Sequence, residues 1–355
     1  MSGSAGSSPR GRSGGSRRRG EDSAAAVASA AEDLVNPPRD NPAISPTIPE
    51  GVGGLRLPLG RRVHLPERGT TFVREVAGPS PEAHTVLLLH GWFASGGLNW
   101  YQAFEPLSRH FNVVAPDLRG HGRGIRNRRR FTLTSCADDV AALCHELGHG
   151  SVIACGYSLG GPVAQLLWRR HPDLVRGLVF CGTSSSFIPG VQQRLIFAAS
   201  MAALAGTTRT AQVMRYVPAT LRKGLPGPLQ GNRRPTSLQV WAAQEMRRHD
   251  MRMTMEAGVA IATFNSRRWI HQVDVPTTVL ITTKDHAVTP AAQLQLATDI
   301  PGASIRRYDE GHTSPVLESF GTAITDACLD VEAAITRRRR RSDRIDTHHP
   351  DDELP

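Results

Sequence analysis

Residues 151–162 read Ser151-Val-Ile-Ala-Cys-Gly-Tyr-Ser-Leu-Gly-Gly-Pro162, a buried-strand pattern that leads directly into Gly-x-Ser-x-Gly and then into a helix. In such a layout Ser158 lies at a sharp strand-to-helix turn, and its hydroxyl projects from the edge of a sheet. Gly156 and Gly160 let the strand and the helix pass closely, because a Cβ at either position would meet the neighbouring backbone. The stretch therefore predicts an α/β fold with Ser158 as a candidate nucleophile.

Two strand ends farther along the chain carry side chains that a serine nucleophile needs. The β-branched run 277–283 leads to Asp285, and the run 303–308 leads to His312, 27 residues after the aspartate. That interval has room for one helix and one strand, so we expect both side chains at the same edge of a parallel sheet. A hydroxyl is a weak nucleophile unless a base removes its proton, and serine, acid and histidine together supply this chemistry.

A further apolar run, 85–89, ends in His90-Gly91-Trp92, where a strand turns into a loop. The backbone N–H groups of such a loop can point back toward the serine. Donors of this kind are what a developing oxyanion requires.

With these motifs and the turn Asp117-Leu-Arg-Gly-His-Gly122, the chain resembles the α/β-hydrolases over about residues 55–335. The resemblance implies a mostly parallel, eight-stranded sheet flanked by helices, with an α-helical cap inserted after the sixth strand. It also implies a role for each site residue: Ser158 as nucleophile, His312 as general base, Asp285 as the group that orients the imidazole, and the N–H groups of Trp92 and Leu159 as the oxyanion hole. This chemistry requires no metal and no organic cofactor.

Other residues compete for some of these roles. Asp309 or Glu310 could supply the carboxylate in place of Asp285. Three histidines compete with His312, and none of them ends a predicted strand: His286, His348 and His349. Three polar residues in turns after strands are interpreted as holding loop geometry: His90, Asp117 and His121.

A motif for different chemistry, His-Glu-x-x-His, spans residues 145–149. On a helix it would place two imidazoles on one face for zinc, with the glutamate as base. However, it falls in the last turn of a helix predicted to start near Leu133, and Gly148 and Gly150 predict that the helix ends there. The extended zinc pattern would also need a histidine where Cys155 stands. The sequence therefore predicts no metal site.

Composition marks two tails, 1–52 and a charged tail 337–355. Between them, the predicted strands and the resemblance imply a first core part 53–183, a helical cap 184–272 and a second core part 273–336. The tails are rich in Ser, Gly, Pro and Arg or in charges, so they cannot build a core and are predicted to be disordered. All six internal methionines fall in the cap. Such adaptable side chains suit a pocket for acyl or other apolar groups, although ordinary helix packing explains them equally well.

The formal net charge is +10 at pH 7, and the two tails contribute only 0 and +1 of it. A visible basic cluster could attract anionic partners, yet we interpret it as a solvated face. We expect no nucleic-acid binding, because only Phe131 could stack on a base there. The cluster consists of Arg119, Arg123, Arg126, Arg128, Arg129 and Arg130.

The five cysteines are odd in number and are interpreted as packed thiols of a reducing compartment. No apolar run reaches the roughly 18 residues that span a bilayer. The N-terminus makes a poor export signal, since Gly20-Glu21-Asp22 follows its arginines. We therefore expect a cytoplasmic protein, and peripheral membrane contact stays open.

The expected reaction is hydrolysis of a carboxylic ester, or a related acyl bond, of a small and largely apolar substrate through an acyl-enzyme. On the same triad the sequence does not separate an esterase from a thioesterase, lactonase, acyltransferase, cofactor-free perhydrolase or carbon–carbon bond hydrolase. Residues 96–100 are loosely similar to a loop of the carbon–carbon hydrolases, but Trp92-Phe93 stands where those enzymes have a glycine-rich turn. Two readings from other classes are a hydrolase-fold receptor with little turnover and a basic module that binds nucleic acid.

Overall fold

The structure is a computed structural model and describes residues 57–188, 190–214 and 238–346. In this part of the chain the strands are β1 Gly60–Leu65, β2 Gly69–Val76, β3 Thr85–Leu89, β4 Asn112–Pro116, β5 Val152–Tyr157, β6 Val175–Cys181, β7 Thr277–Thr282 and β8 Ser304–Tyr308. The α-helices are α1 Gly96–Trp100, α2 Phe104–Ser108, α3 Leu133–Glu146, α4 Gly160–Arg170, α5 Val191–Met214, α6 Leu238–Arg247, α7 Met251–Thr263, α8 Pro290–Asp299 and α9 Glu318–Asp346. The predicted tail 1–52 lies outside the described residues.

The eight strands form one sheet in the order β1-β2-β4-β3-β5-β6-β7-β8. Strand β2 pairs antiparallel with both of its neighbours, and every other pairing is parallel. The predicted mostly parallel, eight-stranded sheet is thus confirmed. Because parallel strands end at the same edge, the loops after β3, β5, β7 and β8 all meet there.

Side chains alternate between the two faces of the sheet, and each face has its own apolar core. In β3, Leu87 and Leu89 pack on the side of α3 and α4, whereas Val86 and Leu88 pack on the side of α2 and α9. All residues of β3 and β5 are buried. Burial on both faces explains why these strands are continuous apolar runs in the sequence.

Helices α5, α6 and α7 lie in the insertion between β6 and β7, where the sequence predicts a helical cap. Asp250 caps the N-terminus of α7, since its side chain accepts a hydrogen bond from the N–H of Met253. The methionines divide between two environments. Met253 and Met255 are buried, as in ordinary helix packing, whereas Met246 and Met251 are exposed.

The predicted disorder of 337–355 is wrong for residues 337–346, because α9 continues to Asp346. One face of α9 is buried along much of its length, and arginine is a strong helix former, so the helix extends past its last apolar contacts. The buried apolar side chains are Phe320, Ile324, Ala327, Cys328 and Val331. Arg338 also donates a hydrogen bond to the carbonyl of Asp274. Residues 347–355 lie outside the described residues.

All five cysteines are buried and free. Among the described residues, no helix is both long enough and apolar enough to cross a bilayer.

Candidate active site

Ser158 follows β5 directly and adopts a φ of +50°, the left-handed region that side chains other than glycine rarely enter. A Cβ on Gly156 would lie 2.4 Å from the carbonyl oxygen of Gly160, and one on Gly160 would lie 2.0 Å from that of Leu89. Both glycines are therefore required by the close packing of strand and helix, as the sequence predicts. Holding a serine at this φ costs on the order of 1–3 kcal/mol, which the surrounding packing must offset.

Three side chains from separate loops form one hydrogen-bonded chain at the carboxyl edge of the sheet. Oγ of Ser158 lies 3.0 Å from Nε2 of His312, and Nδ1 of His312 lies 2.8 Å from Oδ2 of Asp285. Asp285 stands in the loop after β7 and His312 in the loop after β8. The structure thus brings together the three residues that the sequence singles out.

Asp285 is buried but well supplied with hydrogen-bond donors. Its Oδ1 accepts from the backbone N–H groups of Ala287 and Val288, each at 2.8 Å, and its Oδ2 accepts from the hydroxyl of Thr282 at 2.9 Å. Burial would raise the pKa of this carboxyl, but the hydrogen bonds from His312 and Val288 outweigh burial and lower the pKa. An ionised Asp285 keeps the proton of His312 on Nδ1, so Nε2 is free to accept from Ser158.

The competing acids and bases lie elsewhere. Asp309 is exposed, accepts a hydrogen bond from Thr283 at 2.6 Å and pairs with Lys284 at 3.0 Å. His286 is exposed as well. His348 and His349 lie outside the described residues.

Sequence reasoning missed the residues that support the aspartate and the histidine. Gln293 on α8 donates to the hydroxyl of Thr282 at 2.7 Å and to the carbonyl of Val288 at 2.8 Å. The hydroxyl of Tyr157 donates to the carbonyl of His312, and the two rings lie 5.3 Å apart. Tyr157 precedes the serine directly, so its position was a usable signal. Gln293 carried no signal, because only the folding of α8 onto β7 brings it there.

The loop after β3 lies against the serine. A Cβ on Gly91 would be 3.3 Å from Cβ of Ser158, and the N–H of Gly91 is held by the side-chain oxygen of Asn99 at 2.9 Å. Within the described residues, no acceptor is found for the backbone N–H of Trp92 or of Leu159. The assignment of these two donors to an oxyanion hole stays a prediction.

The side chain of Trp92 joins this loop to the inserted helices. Its Nε1 donates to the carbonyl of Thr254 on α7 at 2.8 Å, and its ring lies 6.3 Å from that of Phe197 on α5. A Cβ on Gly258 would lie only 2.8 Å from the indole ring. The glycine therefore makes room for Trp92 against α7.

A row of three buried histidines, His90, His121 and His249, lies behind the same loop, with neighbouring ring centroids 5.4 Å apart. Nε2 of His90 accepts from the N–H of Leu118 at 2.9 Å, so Nδ1 carries the proton and donates to the carbonyl of Gly91. Burial lowers the pKa of His90 to about 3 and also lowers the pKa of His121 and of His249. These contacts agree with the interpretation that His90 and His121 hold loop geometry.

Asp117 likewise organises loops. It accepts from the N–H groups of Gly96 and Arg123, each at 2.8 Å. Burial raises the pKa of its carboxyl. Asp117 therefore fastens the turn after β4 to the start of α1.

The His-Glu-x-x-His segment does not form a metal-binding face. His145 lies in the last turn of α3, which ends at Glu146, and His149 follows Gly148, whose φ is +76°. Nδ1 of His149 instead lies 3.3 Å from the hydroxyl of Thr85. Over the described ranges, no three His, Cys, Asp or Glu side chains are grouped closely enough to hold a metal ion. The predicted end of the helix is confirmed.

The arginine cluster is only partly a solvated face, so that interpretation needs correction. Arg119 is buried and binds Asp139 through two hydrogen bonds of 2.6 and 2.8 Å. Arg123 pairs with Glu245 of α6 at 2.9 Å. These guanidinium groups serve internal ion pairs, because each meets a carboxylate that the sequence alone could not place beside it. The exposed members are Arg126, Arg128, Arg129 and Arg130.

Known proteins share this architecture. A family model described as alpha/beta hydrolase fold matches residues 84–318. A pimeloyl-[acyl-carrier protein] methyl ester esterase of Aromatoleum aromaticum is 32% identical over 238 residues, which cover 65% of this chain and 92% of that protein. The AB hydrolase superfamily protein YisY of Bacillus subtilis is 31% identical over 113 residues, or 32% of this chain, and the chain spans only 41% of its length.

A solved structure of a thermophilic esterase from Thermogutta terrifontis superposes with a TM-score of 0.60 at 23% identity. The superposition covers 78% of this chain and 99% of that one, and it shows the shared fold. The family match extends over most of the described sheet. The chain therefore belongs to the α/β-hydrolase fold family.

Proposed function

We propose that this protein is a serine hydrolase that cleaves a carboxylic ester, or a related acyl bond, of a small and largely apolar substrate. The observation that carries the proposal is the hydrogen-bonded chain from Ser158 through His312 to Asp285, with distances of 3.0 and 2.8 Å. A hydroxyl within hydrogen-bond reach of a base, which a third group orients, is the arrangement of an activated nucleophile.

In the first half of the reaction, Oγ of Ser158 attacks the substrate carbonyl carbon while Nε2 of His312 takes the hydroxyl proton. The charge that develops on the carbonyl oxygen is stabilised by the N–H groups of Trp92 and Leu159. Asp285 stabilises the imidazolium that forms and holds its orientation. His312 then gives its proton to the leaving alcohol, and the acyl group stays on Ser158.

In the second half, a water molecule gives a proton to Nε2 of His312 and attacks the acyl carbon. The same two N–H groups stabilise the second tetrahedral intermediate. When this intermediate collapses, the carboxylic acid leaves and the proton returns to Oγ of Ser158. The cycle regenerates the enzyme, and the protein's own residues carry each proton transfer.

Two observations support an ester as the bond and an apolar group as the substrate. The relative from Aromatoleum aromaticum is named for methyl ester hydrolysis. In the loop after β3, Trp92 packs against Phe197 and lies near Met201 across Gly258, so this part of the loop has apolar neighbours. Apolar walls with a few placed polar groups are typical of pockets for small ligands.

The proposal is tested by intact-mass analysis after exposure to a fluorophosphonate, comparing wild type with Ser158→Ala. Ser200→Ala, which changes an exposed serine on α5, is the matched control. We expect one adduct on wild type and on the control, and none on Ser158→Ala. Folded wild-type protein that takes up no adduct would overturn the proposal, and an adduct without turnover on an ester panel would favour a receptor.

A further inference from the structure

A cavity of about 640 Å³ opens beside the insertion, and no residue of the proposed triad lines it. Its walls come from the start of α3, from α4, α5 and α7, and from the segment after α7. They are largely apolar, with Leu166, Ala205, Val259, Phe264 and Trp269 among the lining residues. A volume of this size lies within the range of about 300–1,000 Å³ that small-molecule pockets occupy.

Helix α7 separates this cavity from the proposed catalytic centre. Val259, Ala260 and Thr263 line the cavity and share one face of the helix. Thr254 and Gly258, which contact Trp92, lie on the opposite face, since successive residues turn by about 100°. The cavity is thus separate from the proposed catalytic centre, and no step of the proposed reaction uses it.

The polar groups of the cavity leave one cation uncompensated. Glu256 lines the wall, but both of its carboxylate oxygens lie 3.0 Å from Nη1 of Arg252, and Oε2 accepts from the N–H of Phe131 at 2.8 Å. Arg130 also lines the cavity and is exposed, and the described carboxylates form no ion pair with it. The described lining therefore combines a largely apolar wall with one exposed guanidinium group, that of Arg130.

The charge of the insertion adds to this preference. Residues 184–272 contain twelve Lys and Arg but only three Asp and Glu, so they carry +9 of the chain's formal charge of +10. Five of these twelve basic residues lie outside the described residues, and the described part of the insertion holds seven Arg against three Asp and Glu. A field of this sign favours anionic ligands and raises their local concentration.

We propose that this cavity binds a free single-chain anionic amphiphile, with the carboxylate of a long-chain fatty acid as the model ligand. The alkyl chain would lie along the apolar wall between α5 and α7, and the carboxylate would face Arg130. Each methylene that is buried adds to the binding free energy, so an alkyl chain of medium length suffices for binding. The site does not depend on the reaction at Ser158.

The test uses the full-length protein and 11-(dansylamino)undecanoic acid, whose fluorescence rises in an apolar site, with dodecanoate as the competitor below its micelle concentration. We expect saturable binding that dodecanoate displaces. Ala260→Trp fills the cavity and should weaken dodecanoate binding at least about tenfold, since two or more methylenes lose their contacts. Ala199→Trp adds the same side chain on the exposed face of α5 and should leave binding unchanged.

A second variant reports on the head group without filling the cavity. Arg130→Gln should weaken dodecanoate about fivefold, as expected for one exposed charge pair, and leave dodecanol unchanged. Equal binding of dodecanoate by Ala260→Trp and wild type would overturn the proposal. So would loss of binding after fluorophosphonate labelling, which would place the probe at Ser158. Binding to phosphatidylglycerol vesicles but not to monomeric dodecanoate would overturn it too, because a membrane surface would then be the partner.

Discussion

The α/β core and the inserted helices are held together in different ways. In the core, β3 and β5 are buried along their whole length, and every residue of the Ser158–His312–Asp285 chain lies in a loop at the edge of that sheet. The insertion contacts the site loops through hydrogen bonds and an ion pair: Trp92 with Thr254, Gly122 with His249, and Arg123 with Glu245. Helix α7 also packs Met253 and Ala257 into the apolar core. The core therefore positions the three side chains of the proposed triad, and the insertion is attached to the loops at the edge of the sheet.

The two regions also differ in charge. The insertion carries +9, so the rest of the chain is nearly neutral. The insertion also has exposed apolar side chains on α5, among them Val191, Leu195 and Ile196. The inserted segment, and not the α/β core, therefore carries most of the net charge of the chain.

The largest effect is expected in the core at the serine. Ser158→Ala removes the proposed nucleophile, so kcat for 4-nitrophenyl butyrate should fall about 10⁵-fold. The fold should be retained, because the hydroxyl is not needed for packing. Circular dichroism checks the fold, and Ser200→Ala on the insertion should keep wild-type kcat. A fall of less than about tenfold would show that another group attacks the substrate.

Next in size is the change at the aspartate. Asp285→Asn keeps the shape but no longer fixes the tautomer of His312, so kcat should fall about 10⁴-fold. Asp309→Asn is the matched control, because this exposed carboxylate pairs only with Lys284 and Thr283. Its kcat should change less than about twofold. The reverse pattern would assign the role of the acid to Asp309.

The histidine row at the junction of core and insertion predicts a dependence of stability on pH. Burial lowers the pKa of His90 to about 3 in the folded protein, against about 6.5 in the unfolded chain. The unfolded state therefore binds the proton first as pH falls, and the free energy of unfolding decreases below about pH 6.5. His90 alone should cost about 2 kcal/mol between pH 7 and pH 5, measured by urea denaturation.

A substitution of His249, the histidine on the insertion side of the row, tests the same dependence of stability on pH. His249→Asn keeps an acceptor for the N–H of Gly122 but cannot titrate, so its stability should fall less steeply with pH than that of wild type. His286→Asn, at an exposed position, should follow the wild-type curve. Parallel curves for His249→Asn and wild type would show that His249 does not titrate between folded and unfolded states in this range.

The smallest effect is expected from a substitution of Trp92, which links the loop after β3 to helix α7 of the insertion. Trp92→Phe keeps an aromatic ring but loses the hydrogen bond to Thr254, so kcat/KM should fall roughly fivefold and unfolding free energy by about 1 kcal/mol. Trp168→Phe loses a comparable bond to Asp274 and is remote from the site. It should lose similar stability without a change in kcat/KM. If both variants kept full kcat/KM, the insertion would not control the loop after β3.

Much of the core could be predicted from the sequence, because its signals are local. The turn at Ser158 needs glycine on both sides, and strands buried on two faces are continuous apolar runs. The order of serine, acid and histidine followed from strand ends alone. The glycines after Glu146 also predicted that the helix ends there. That end argues against a zinc site at His145 and His149 on one helix face.

Other features depended on residues far apart in the chain. Gln293 reaches Thr282 and Val288 only because α8 folds onto β7. The salt bridge of Arg119 with Asp139 likewise joins the turn after β4 to helix α3. Disorder was predicted for 337–346 because composition alone does not show that α9 packs one face on the sheet. The sequence shows the net charge of a segment, but it does not show which carboxylate each arginine contacts.

The fold class, the candidate triad and the place of the insertion could be predicted from the amino-acid sequence, since each rests on backbone conformation and hydrophobic pattern within a few residues. The folded structure was needed to show that Asp285 and not Asp309 meets His312, that Trp92 is bonded to α7, and that a cavity opens on the far side of that helix. The physical reason is that hydrogen bonds between loops, and the spaces between helices, depend on packing over long chain separations. Local patterns do not encode those distances.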